Sequence, residues 1–103
     1  MNKKYHLFEV YGIELEYMLV STIDLKVVPA VDLLLTLKNG ELTSDIENGT
    51  IAWSNELVAH VVELKTNGPT QSTDGLSNDF HNNIREINQL LKAHNMMLLP
   101  TAS

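Results

Sequence analysis

Residues 6–20, HLFEVYGIELEYMLV, decide how the rest of the chain is read. β-Branched and aromatic residues are dense in this stretch, which suits an extended strand. With a period of two, Ile13, Leu15, Tyr17 and Leu19 share one face, and Glu14, Glu16 and Met18 share the other. Gly12 interrupts the run, as a bulge or a close backbone approach does.

Working outward, the turn Ser21-Thr22-Ile23-Asp24 and a short return strand at 25–28 make a hairpin. Pro29 then opens a helix, since its missing N–H would have no intrahelical partner there. Ala30, Leu33, Leu34 and Leu37 recur at i, i+3, i+4 and i+7, a core-facing stripe that Asn39-Gly40 ends. Residues 41–50 are polar and contain the turn dipeptide Asn48-Gly49. Residues 51–66 read as one extended run, with Val58, Val61 and Val62 prominent.

Asn67-Gly68-Pro69 closes that run, and residues 70–79 form a polar loop. A last helix over 78–94 carries Phe80, Ile84, Ile87, Leu91 and His94 at a 3.6-residue period, with Leu90 beside them. Residues 96–99 are a final strand, stopped by Pro100. No repeat or linker divides the sequence, so residues 1–103 read as a single domain. The order β-β-α-β-α-β predicts an α+β fold, a mainly antiparallel sheet with two helices packed on one face.

Composition narrows the function classes. A chain of 103 residues that is 44% apolar supports one modest core. Its net charge of −6 disfavours nucleic acid as a partner, because such binders present basic patches. Lys3-Lys4 is the only local cluster of positive charge. With no cysteine there can be no disulfide, no thiolate ligand and no thiol nucleophile. No signal-peptide core and no run of about 20 apolar residues occur, so the expectation is a cytoplasmic protein without a membrane partner.

Two constellations could carry chemistry. Glu14 and Glu16 sit at i and i+2 on a strand, pointing the same way roughly 7 Å apart. Like charges so placed are solvated, or they share a cation, and hard ions such as Mg²⁺ take oxygen ligands. Glu63 stands inside the apolar run Val61-Val62-Glu63-Leu64, where a charge needs a partner, a metal or a half-exposed strand face. Strict alternation puts Glu56 on the opposite face from Glu63. Both can serve one site only if the strand bulges or Glu56 lies in the preceding turn. His60 reads as a structural residue, and no histidine spacing suits zinc. Trp53 and the other aromatics read as packing. Phosphate-loop, GxGxxG and GxSxG signatures are absent.

Taken in order, these segments resemble the opening of glutamate–cysteine ligases and the related carboxylate–amine ligases. Gly12-Ile13-Glu14-Leu15-Glu16 is similar to the family's glycine-x-glutamate-x-glutamate strand. Val27-Val28-Pro29-Ala30-Val31-Asp32-Leu33-Leu34 is similar to its LVPAADELL segment. Glu56 with Val61-Val62-Glu63-Leu64-Lys65-Thr66 resembles its second acidic strand, although Ser54-Asn55 match poorly. The last helix with Met97-Leu98-Leu99-Pro100-Thr101-Ala102 resembles its helix and L-x-P strand.

The resemblance implies a glutamine synthetase-like fragment and ATP-dependent amide formation through an acyl phosphate, as in glutathione biosynthesis. It implies Glu14, Glu16, Glu56 and Glu63 as Mg²⁺ ligands, with ATP and an amino acid as the molecules bound. Family members run to several hundred residues, so the expected chain is an N-terminal segment inactive alone. It could instead be a short relative that has lost catalysis, or one assembling with a partner that carries the remainder. The alternatives are a non-catalytic binding module and a small α+β domain that homodimerises through a sheet edge.

Overall fold

A computed structural model describes residues 13–67 and 75–101. The elements in chain order are β1 (Glu14–Ser21), α1 (Val31–Asn39), β2 (Asp45–Asn48), β3 (Ile51–Asn55), β4 (Val61–Thr66), α2 (Leu76–Lys92) and β5 (Met96–Pro100). The strands form one sheet in the order β2-β3-β4-β1-β5, with every neighbouring pair antiparallel. The first strand is therefore interior, flanked by the fourth and the fifth.

Cross-strand partners share a face, so the register sorts the sheet into two sides. One side carries Leu19, Val62, Leu64, Ile51, Trp53, Ile46, Met96 and Leu98, all buried. Val31, Leu34 and Leu35 of α1 and Phe80, Ile87 and Leu91 of α2 join them in a single core. Both helices thus cover the same face, as the sequence predicts. The opposite face carries Glu14, Glu16, Asp45, Glu47, Glu63 and Lys65, together with Met18 and the buried Val20 and Ala52, and no helix of the described residues packs on it.

Several boundaries differ from the sequence reading. The run at 51–66 is a hairpin, β3 and β4 joined by a turn at 56–60, rather than one strand. The polar stretch 41–50 contains β2, and Gly49 at φ 69° turns it into β3. Glycine at the first turn position with positive φ suits the tight hairpin geometries that match strand twist. The return strand at 25–28 reduces to one bridge, Val20 to Val27, so the observed order is β-α-β-β-β-α-β. The segment 6–12, including Gly12, lies outside the described residues.

The helices are largely where periodicity puts them. α1 starts at Val31 after an Ala30 N-cap, and Gly40 at φ 90° closes it by donating its N–H to the Thr36 carbonyl. Its buried stripe is Val31, Leu34 and Leu35, whereas Leu33 and Leu37 are each 37% exposed. The stripe is turned from the expected Ala30-Leu33-Leu34-Leu37, with Val31 and Leu35 joining Leu34 against the core. α2 ends at Lys92, so His94 is exposed beyond it rather than on its apolar stripe. None of the described helices is long and apolar enough to cross a membrane.

A polar seam ties α2 to the hairpin below it. Asn83, buried on α2, accepts hydrogen bonds from Trp53 Nε1 and Asn48 Nδ2, both at 2.8 Å, and its own Nδ2 donates to the Asp79 carbonyl. Glu86 accepts from Asn48 and pairs with Lys38 of α1 at 2.6 Å. At the sheet edge, the Leu98 N–H of β5 donates to Asn88 Oδ1 of α2 at 2.8 Å. That N–H is therefore not offered to another strand.

Candidate metal centre

Three separate elements deliver the acids to the open face of the sheet. β1 presents Glu14 and Glu16, and β4 presents Glu63, with Glu16 directly opposite Glu63 and Glu14 opposite Lys65. Glu56 comes from the turn between β3 and β4, which removes the conflict that strict alternation raised. Carboxylate oxygens of Glu16, Glu56 and Glu63 lie within 4.8 Å of one another. Glu14 is not in that trio. It borders the same recess, about 380 Å³, with Glu16, Glu63, Pro100 and Thr101.

Glu63 has only 14% of its side chain exposed. Its pKa is raised above the ordinary glutamate value, first by burial and then by the charges of Glu14 and Glu56. Lys65, whose Nζ is 3.9 Å from Glu63 Oε1, and the Ser54 hydroxyl, which donates to Oε1 at 3.3 Å, pull it back in part. Lys65 is well exposed, so this pair is worth little. The acids therefore face one another with incomplete compensation.

A hard divalent ion holds its oxygen ligands at roughly 2.0–2.6 Å, so two ligands of one ion are at most about 5 Å apart. The Glu16, Glu56 and Glu63 oxygens satisfy that limit, and all are the donor type Mg²⁺ or Ca²⁺ prefers. The carboxylate set fits such a cation. A nucleotide is a different matter. Among the described residues Lys65 is the cation beside the acids, and a triphosphate needs more positive groups than that.

Ser54 and Lys65 escape a reading from sequence alone. Ser54 becomes the neighbour of Glu63 only when the β3–β4 hairpin is recognised, since the register pairs the two directly. His60 sits in the same turn as Glu56, and its carbonyl accepts the Leu19 N–H at 2.8 Å. That backbone bond pins the turn against β1. Comparison with family models, curated proteins and solved structures finds no match to this chain.

Proposed function

We propose that this protein is the cation-holding part of an ATP-dependent carboxylate–amine ligase of the glutamate–cysteine ligase type, with Glu16, Glu56 and Glu63 as ligands and Glu14 beside them. One observation carries the reading: carboxylates from β1, from the β3–β4 turn and from β4 converge within 4.8 Å of one another on the sheet face opposite the helices. A directly opposed Glu16–Glu63 pair is unfavourable in a fold that has no use for it. The ordered motif resemblance supports the same assignment.

In this reading the chain's own residues bind and orient. Glu16 and Glu63 face each other across two hydrogen-bonded strands, so their spacing is set by the sheet rather than by a loop. Ser54 fixes one oxygen of Glu63, and the backbone bond at His60 fixes the turn that brings Glu56. A bound Mg²⁺ would neutralise phosphate charge that develops during acyl transfer. Nucleotide and amino-acid contacts would come from residues other than those described, and activity would need them.

The test is an NMR titration of the 103-residue chain with Mg²⁺, and then with ATP plus Mg²⁺. Saturable shifts centred on Glu16, Glu56 and Glu63 are expected, with a further response to the nucleotide only when Mg²⁺ is present. Glu63→Gln should weaken cation binding without weakening folding at neutral pH. A folded wild-type chain with no shift at these residues up to millimolar Mg²⁺ would remove the proposal. An undiminished response in Glu63→Gln would do the same.

A further inference from the structure

α2 has a second chemical face. Besides its buried stripe, one flank lines an open groove of about 300 Å³, formed by His81, Ile84, Arg85, Asn88, Gln89 and Lys92. Of the Lys and Arg side chains in the described residues, Lys38 and Lys65 are ion-paired, with Glu86 and Glu63. Arg85 and Lys92, like Lys26 in the turn after β1, have no carboxylate within 4.0 Å among the described residues. On α2 the helical neighbours explain why. Three and four residues away from Arg85 stand His81, Asn82, Asn88 and Gln89, and from Lys92 stand Asn88 and Gln89. No acid occupies a position from which an intrahelical pair forms.

A chain with 13 acids and a net charge of −6 thus keeps one helix flank free of them. Asn88 adds to the donors. Its Oδ1 is taken by the Leu98 N–H, which leaves its amide N–H₂ group as the part available to donate. Ile84, half-buried, supplies an apolar floor.

We propose that this groove is a docking site for an extended, acidic peptide segment of a partner protein. Charge complementarity selects an acidic occupant, and spacing selects its form. Arg85 and Lys92 are two turns apart, roughly 10 Å along the axis at 1.5 Å per residue. A single phosphate cannot reach both ends of such a span. Two carboxylates four residues apart on an extended strand share one face about 13 Å apart, a span that the long Arg85 and Lys92 side chains close from either end. Nucleic acid is disfavoured, because two cations on an acidic protein make no phosphate-tracking footprint. Strand addition at β5 is disfavoured too: Asn88 holds the Leu98 N–H, and Pro100 has none to give. Recognition therefore runs through side chains on the helix. It is independent of the acidic face and needs no divalent ion.

The experiment is an amide NMR titration of the full chain, without divalent cations, using a blocked pentapeptide with glutamates at its first and fifth positions and leucine at its third, all three on one face when extended. The same peptide with lysines in place of glutamates, and inorganic phosphate, are the comparison probes. Saturable shifts at Arg85, Asn88 and Lys92 with the acidic peptide alone are expected, lost in high salt. Arg85→Gln should weaken binding roughly tenfold, the size of one charge-assisted hydrogen bond, while the spectrum elsewhere stays unchanged. Equal saturation by phosphate would reassign the groove to a small anion and overturn the proposal. Concentration-dependent shifts on α2 without peptide would reassign it to a second copy. No response, or an unchanged response in Arg85→Gln, would also overturn it.

Discussion

Burial and the charges of Glu14 and Glu56 together make a negative charge on Glu63 costly in the folded chain. The folded state consequently holds the Glu63 proton more tightly than the unfolded state does. Stability contributed by this group is full at acid pH and falls as pH rises from the ordinary glutamate range through the raised pKa. Glu63→Gln should flatten that decline and gain about 0.2–1 kcal/mol at pH 7, the scale of an opposed like-charge pair, with no gain at pH 4. Urea midpoints at the two pH values measure it. Asn83 behaves in the opposite way. Asn83→Leu strips the acceptor from buried Trp53 Nε1 and should cost about 1–3 kcal/mol at every pH. The acids were legible in sequence because each interrupts an apolar or strand-like context. Asn83 was not, since a polar residue on a helix reads as solvent-facing until its partners on β2 and β3 are known.

Among the elements, the strongly periodic ones read most directly. α2 and β5 fall within two residues of expectation, because an amphipathic stripe and a proline stop are local signals. The hairpins did not read as well. β2 is short, with polar residues at three of its four positions, and gains its strand character from pairing with β3. The turn at 56–60 carries Leu57 and Val58, exposed apolar residues that continue a strand-like composition through a loop. That missed turn left Glu56 ambiguous. The dipeptide Asn48-Gly49 did mark a turn, and its backbone can be tested. A Cβ at Gly49 would meet nothing within 4 Å, so Gly49→Ala probes only the φ of 69°. It should cost about 1 kcal/mol, and Gly49→Asn less, because asparagine tolerates that region. Chemical denaturation of both variants gives the comparison.

Over the whole molecule the sheet has one covered face, one acidic face and two guarded edges. At β5 the guards are Asn88 and Pro100. At β2 the Thr43 hydroxyl donates to the Asp45 carbonyl, and Asp45 and Glu47 place charges along the strand. Such features discourage edge pairing between copies. A combined Asn88→Ala and Pro100→Val variant should therefore sediment with a steeper concentration dependence than the parent chain. Equal behaviour would mean the edge is guarded by something else.

The position of β1 between β4 and β5 also sets a timetable. Glu14 pairs with Lys65, and Tyr17 pairs with Pro100, so both neighbours of the earliest described strand are made after it. At a synthesis rate of about 5–20 residues per second, the last of them follows β1 by roughly 4–16 seconds. Until β4 is complete, roughly 2–9 seconds after β1 at that rate, the glutamate-bearing strand has no sheet to join, and its second neighbour comes later still. Long-range closures of this kind slow folding, and the nascent segment must stay soluble meanwhile. The alternation of Glu14 and Glu16 with Leu15 and Tyr17 gives it charge to do so. The same carboxylates that converge in the finished fold would thus act first as an anti-aggregation device for its unfinished form.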